Sequence, residues 1–192
     1  MDKRNVEETR NAILEAAKEL MMECEDPGQV TARGITTKAG VNLAMINYCF
    51  GSKEALLFQV FQKMQEEASM ENPNFAKILN SRKSPKEKLI EVTVESAKFM
   101  LANEVASKAI VKYVLLERPI SGERGSVPLI MEYFQGKKSE MECRKIAFEL
   151  SALQELVILR HQELKEVCGI DLKEEKDLRN LVTEHVNRYL HE

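Results

Sequence analysis

Residues 31–50 read Thr-Ala-Arg-Gly-Ile-Thr-Thr-Lys-Ala-Gly-Val-Asn-Leu-Ala-Met-Ile-Asn-Tyr-Cys-Phe. The stretch predicts a short helix from Thr31 to Ala39, a reversal at Gly40, and a second short helix from Asn42 to about Tyr48. Thr31 and Asn42 suit the two starts, because their side-chain oxygens can accept from N–H groups that a helix leaves unpaired. Gly40 suits the reversal, because a residue without a Cβ adopts positive φ freely. Ile35 and Ala39 can then face Val41 and Ile46 across the turn. Two helices crossing in this way form the skeleton of a helix-turn-helix unit, whose second helix enters a DNA major groove.

The charge around the stretch points the same way. Residues 27–53 contain Arg33, Lys38 and Lys53 with no Asp or Glu, whereas residues 1–26 carry eight acids. Over all 192 residues the balance is 28 basic against 31 acidic, a net charge of −3. A protein coated in positive charge is excluded, but a small cationic face turned toward phosphates is not.

Working outward, apolar residues recur at three-to-four spacing almost throughout, and only 5 prolines and 8 glycines interrupt them. This predicts an all-α fold. A first helix is expected from about Val6 to Cys24, stopped by Asp26-Pro27-Gly28. Ser52 can cap a fourth helix bearing Leu56, Leu57, Val60, Phe61 and Met64. Pro73 breaks the chain, and Pro85 suits the first turn of a helix to about Leu101, since its missing N–H has no helical partner there. Asn103 can cap a helix through Glu117, and Pro119 to Pro128 reads as a long loop before a short helix ending at Phe134.

From about Lys138 to Val167 a single long helix is expected, with one stripe of Ile146, Leu150, Leu153, Val157 and Leu164 and another of Phe148, Ala152, Leu156, Leu159 and Val167. Asp171 and Glu174 have capping-box spacing for a final helix bearing Leu178, Leu181, Val182, Val186, Tyr189 and Leu190. Two striped helices offer more apolar surface than a body of this size covers. Pairing with a second copy as a four-helix interface would bury the remainder. The interface residues expected are Leu150, Leu153, Val157, His161, Leu164, Leu178, Leu181, Val182, Val186 and Tyr189. Completion of a monomer core is the alternative.

Other classes find little support. The apolar run Ala109 to Leu116 contains Lys112 and is too short to span a bilayer, and no apolar leader follows Met1, so a cytoplasmic location is expected. Cys24, Cys49, Cys143 and Cys168 are scattered and read as buried, reduced thiols. Gly-Lys-Lys-Ser at residues 136–139 lacks the upstream glycine of a phosphate loop, and His161, His185 and His191 lack metal-ligand spacing. No enzyme activity, cofactor or metal is expected. A helical enzyme or adaptor remains the distant alternative.

The sequence resembles the TetR (tetracycline repressor) family of bacterial regulators. Thr9-Arg10, Ile13, Leu14, Ala16 and Ala17 resemble the family's first helix. The likeness is densest at Thr31, Arg33, Ile35, Lys38-Ala39-Gly40-Val41, Ile46, Tyr48, Phe50, Ser52-Lys53-Glu54 and Leu56. It implies a nine-helix fold, with a helix-turn-helix domain at residues 1–52 and a helical regulatory and dimerisation body at 53–192, connected through a fourth helix at 53–71. It also implies a homodimer that binds a near-palindromic double-stranded operator. Repression relieved by a small, mostly apolar effector is the reading adopted; an activator or an effector-independent regulator is the alternative.

Residue roles follow from the same resemblance. Thr31, Thr37, Tyr48 and Lys53 are expected on phosphates, and the helix Asn42–Tyr48 on bases. Arg33 is open to two roles, a DNA contact or a solvated surface cation. The reading helix departs from the family pattern, with Leu43 where a basic or small polar residue is common, Asn47 for tyrosine and Cys49 for histidine. Having no Arg or Lys, it cannot read guanine in the usual bidentate way. Asn42 or Asn47 is left for adenine, and Leu43, Ala44 or Met45 for thymine methyls. Tyr48 has the alternative of packing on Phe50. In the body, Phe75, Phe99, Met100, Tyr113, Met131, Phe134 and Phe148 are candidate effector-pocket residues, each with ordinary core packing as its alternative.

Overall fold

The computed structural model describes residues 3–26, 29–71, 74–117 and 125–191. The expected turn at Pro27-Gly28, the break at Pro73, the loop over 118–124 and the side chain of Lys112 lie outside the described residues. Elsewhere the all-helical expectation holds. The helices are α1 (Lys3–Glu23), α2 (Ala32–Ala39), α3 (Ala44–Phe50), α4 (Lys53–Glu71), α5 (Asn74–Leu79), α6 (Pro85–Ala102), α7 (Glu104–Lys112), α8 (Val127–Phe134), α9 (Glu140–Leu159), α10 (His161–Cys168) and α11 (Glu175–Tyr189). A π-helical turn, Tyr113–Glu117, extends α7.

Two compact units divide these elements, one within Met1–Ala68 and Asn103–Glu117, the other within Ser69–Ala102 and Arg118–Glu192. In the first, α1 packs on α2, α3 and α7. Its interior holds Ile13, Ala17, Val30, Ile35, Leu56, Leu57 and Val60, all essentially sealed from solvent. Each such leucine or isoleucine contributes about 1.5–3 kcal/mol by leaving water. In the second unit, α6 packs on α5, α8, α9 and α11, and α9 also meets α8, α10 and α11. Leu89, Val94, Ile130, Ala147, Leu172, Leu178, Val182 and Val186 form its centre.

Several expectations are corrected. Nine helices were expected, and eleven α-helices occur among the described residues. One addition is α5, a six-residue helix with no fully buried side chain and so a weak apolar pattern to read. The other arises because the expected helix over 138–167 breaks at Arg160, whose φ of −106° and ψ of 22° leave helical geometry. No glycine or proline marks that break. Asp171 does not open a capping box with Glu174. Its Oδ1 accepts from the Lys173 N–H at 3.0 Å, and α11 begins only at Glu175. Asn103 precedes α7 without a side-chain cap. The capping boxes occur instead at Ser84–Glu87 and Ser139–Glu142.

Most of α4, together with α7, belongs to the first compact unit, because Leu56, Leu57 and Val60 complete its interior.

Ion pairs tie helices within the second unit. Glu91 of α6 accepts from Arg179 of α11 at 2.9 and 3.2 Å and from Lys83 at 3.0 Å. The Arg179 guanidinium, and secondarily Lys83, hold the Glu91 carboxyl below the usual glutamate pKa, against the opposing effect of burial. A carboxylate whose pKa is depressed on folding stabilises the fold above its unfolded pKa of about 4.3 and loses that contribution as pH falls through the folded value. Glu91→Gln should therefore flatten the acid limb of the stability profile below about pH 4.3, measured by urea denaturation between pH 3 and 7. An acid limb of unchanged slope would contradict this role for the pair.

Candidate nucleic-acid interface

The expected turn is present in detail. Thr31 is extended, and its Oγ1 accepts from the Gly34 N–H at 3.0 Å, opening α2. Gly40 closes the helix in the left-handed region at φ 67°, ψ 31°, and its N–H reaches the carbonyls of Thr36 and Thr37. An added Cβ there would meet nothing within 4 Å, so glycine is required by backbone conformation and not by space. The Val41 N–H donates to Thr36 at 3.0 Å and completes the reversal.

Helix α3 has only seven residues, too few to hold itself. Its inner face carries Ile46 and Phe50, both buried. Its outer face is open, with Leu43 50% and Tyr48 66% exposed, and with Ala44 and Asn47 exposed beside them. Met45 is half-buried. Tyr48 thus points away from the core and does not pack into it with Phe50. Asn42 caps the helix, its Oδ1 accepting from the Ala44 N–H at 2.9 Å. While it caps, Asn42 has one of its two oxygen lone pairs engaged and its amide plane fixed by the helix start. Asn47 is the exposed amide without that constraint.

Arg10 on α1 secures the other end of α3. Its Nη1 donates to the Cys49 carbonyl at 2.7 Å, its Nη2 to Gln59 Oε1 of α4 at 2.6 Å, and its guanidinium stacks 4.5 Å from the Phe50 ring. A cation at the carbonyl end of a helix also complements the helix dipole. Sequence reasoning missed this residue because its partners lie 39 and 49 positions away.

The three cations of the acid-free window are not equivalent. Lys38 donates to Glu23 at 2.9 Å and lies 3.0 Å from Glu19, both on α1. Those hydrogen bonds, Glu23 first and Glu19 second, raise its pKa above the usual lysine value. Lys38 is thus neutralised by acids outside the window. Lys53, at the start of α4, lies 3.4 Å from the Val30 carbonyl and 3.7 Å from Glu54. Arg33 is exposed, as are Thr31 and Thr37. Near Lys53 the Ser52 hydroxyl caps α4 by accepting from the Ala55 N–H at 3.0 Å. The surface thus presents a projecting apolar and amide helix flanked by hydroxyls and two cations, a geometry suited to groove entry with phosphate contacts at its edges.

Comparison with known proteins agrees. Residues 13–60, from α1 through most of α4, match the family described as "Bacterial regulatory proteins, tetR family". The fold resembles the crystal structure of a TetR transcriptional regulator from Rhodococcus sp. RHA1, with 16% identity, 98% of each chain covered and a TM-score of 0.67. A TetR-like regulator from the same organism matches at 17% identity over 94% of each chain, with a TM-score of 0.49. NalD, the secondary repressor of the MexAB-OprM multidrug efflux pump in Pseudomonas aeruginosa, matches at 18% over 97% of each chain, with a TM-score of 0.47. No curated protein matches by sequence. The projecting helix-turn-helix defines a DNA-binding transcriptional regulator. Residues 13–60 carry the segment that defines the TetR family, and the whole chain shares the fold of a TetR regulator.

The remaining expected site residues separate. Tyr113 lies in the first unit, its ring 5.2 Å from that of Phe58, whereas Phe75, Phe99, Met100, Met131, Phe134 and Phe148 lie in the second. Met131 is exposed and Phe134 is part of the core. Of the residues expected between two copies, Leu150, His161, Leu178, Val182 and Val186 are buried inside their own chain. That burial is a correction, because such side chains have no surface to offer a partner. Leu153, Val157, Leu164, Leu181 and Tyr189 retain partial exposure. Among the described residues no group of three or more His, Cys, Asp or Glu side chains is placed to hold a metal ion, and no helix is long and apolar enough to cross a membrane.

Replacing Arg10 with Met keeps the stem and removes three contacts at the end of α3. The expected loss is about 1.5–3 kcal/mol of stability by urea denaturation, the range for hydrogen bonds to a charged group. A loss below about 0.5 kcal/mol, the scale of an exposed ion pair, would contradict the clamp.

Proposed function

We infer that this chain acts as a homodimeric repressor that binds a near-palindromic operator and is released by a small, mostly apolar effector. The observation that carries the reading is the outward face of α3, where Leu43, Ala44, Asn47 and Tyr48 are exposed on a helix whose inner face is buried. Leu43 and Ala44 would meet thymine methyls, Asn47 would address adenine, and Thr31, Thr37, Tyr48, Arg33 and Lys53 would hold phosphates.

One such head makes few contacts, so pairing is part of the proposal. Support for it lies in the second unit, where Leu156, Val157, Leu164 and Val167 line an open groove of about 410 Å³ and Val167 is 82% exposed. A second copy laid on this apolar face would cover it. The effector reading rests on the half-buried Phe75, Phe99, Met100 and Phe148. An effector releases DNA only by binding the non-operator arrangement more tightly. The protein is proposed to be non-enzymatic.

Selection of genomic fragments by the purified protein would supply the operator, and binding would then be measured by fluorescence anisotropy. Arg33 and Lys53 from two copies neutralise about four phosphates, so the log–log salt slope should be about −3.6, shallower than a count including Lys38 would give. Lys38→Gln should leave the slope unchanged, while Lys53→Gln should reduce it by about 1.8. Binding insensitive to salt would contradict the assigned face. Leu156→Asp with Val167→Asp should convert dimer to monomer in light scattering after size exclusion. A dimer unaffected by both changes would place the interface elsewhere.

A further inference from the structure

Within the second unit, the end of α8, the start of α9 and the last turn of α11 border a half-open cavity of about 650 Å³. Lys137, Lys138, Arg188 and His191 line it together with Tyr133 and Tyr189, and among the described residues no carboxylate does. Its geometry follows from the turn after α8. Gln135 and Gly136 are both left-handed, at φ 48° and 84°, and the Lys137 N–H then donates to the Phe134 carbonyl at 2.9 Å. That reversal brings Lys137 and Lys138 to the cavity that Arg188 and Tyr189 line from α11.

Cations gather at helix carbonyl ends for stability alone, and α8 and α11 both end here. At α11 that need is met by Lys86, whose Nζ donates to the Leu190 carbonyl at 2.5 Å and lies 5.8 Å from the Tyr133 ring centre. Lys138 Nζ lies 5.0 Å from the Phe134 ring centre, and the Glu142 carboxylate is taken by the N–H and hydroxyl of Ser139, which hold its pKa below the usual glutamate value with Lys138 the weakest influence. A helix end carries roughly half a charge. A positive excess therefore remains on Lys137, Lys138 and Arg188, none of which forms an ion pair with a described carboxylate.

We propose that this cavity is a binding site for a planar aromatic anion. The anionic group lies among Lys137, Lys138 and Arg188, where the arginine fork can engage two oxygens at once. The ring lies against Tyr133 and Tyr189. The volume suits a ligand of this size, since small-molecule sites span about 300–1,000 Å³. Of the residues expected to line an effector pocket, only Phe134 lines this cavity. The inference needs neither DNA binding nor pairing.

Calorimetric titration of the full chain with 1-naphthyl phosphate tests it, beside 1-naphthol and inorganic phosphate as the two halves of that probe. The expected result is saturable binding of one 1-naphthyl phosphate per chain, with each half weaker by roughly tenfold or more. Lys137→Gln with Arg188→Gln should weaken the whole probe by at least roughly tenfold. Both positions are exposed, so circular dichroism and Tm should match those of the parent. Absence of binding at millimolar 1-naphthyl phosphate, equal binding of 1-naphthol, or unchanged affinity in the double variant would each overturn the proposal.

Discussion

The guanidinium of Arg10 is the contact on which the projecting helix α3 depends. Helix α3 is seven residues long and leaves much of its surface exposed, so it cannot be stable alone. Ile46 and Phe50 give it an apolar footing, but hydrophobic contact is non-directional and does not set the helix axis. Arg10 sets it, binding the Cys49 carbonyl, Gln59 on α4 and the face of Phe50 at once. At the opposite end Asn42 holds the Ala44 N–H. With both ends fixed, Leu43, Asn47 and Tyr48 can project without the helix fraying.

This arrangement divides labour among residues of similar chemistry. Asn42 and Asn47 are both exposed amides, but one is fixed by its bond to the helix start and the other is not. Lys38 and Arg33 both lie on α2, but Lys38 is held by Glu19 and Glu23 while Arg33 faces solvent. Residue type alone therefore overstates the charge available to DNA. The steepness of salt dependence counts only cations that release counterions from phosphates, and Lys38 is already paired within the protein.

Much of the fold was legible because its signals are local. Thr31 and Ser52 as caps, Gly40 as the reversal and Pro85 in a first turn each depend on a few neighbouring residues, and the structure places them as expected. The features missed depend on distant ones. Arg160 ends α9 with no glycine or proline to announce it, and Arg10 acts through partners on α3 and α4. Apolar spacing marked the 138–167 stretch as two-sided and the last helix as apolar, but could not say which side faced the chain's own core. Leu150, Val182 and Val186 proved to be interior, while Leu156 and Val167 remain on the surface.

The claim most in need of test is that the exposed side of α3 touches bases in a duplex. A photo-crosslinking side chain placed singly at Leu43, Tyr48 or Met141, each exposed, would be irradiated with selected operator DNA. The account predicts crosslinks to operator strands from positions 43 and 48 and none from position 141. Crosslinking from 141 alone, or equal yields from all three, would contradict it.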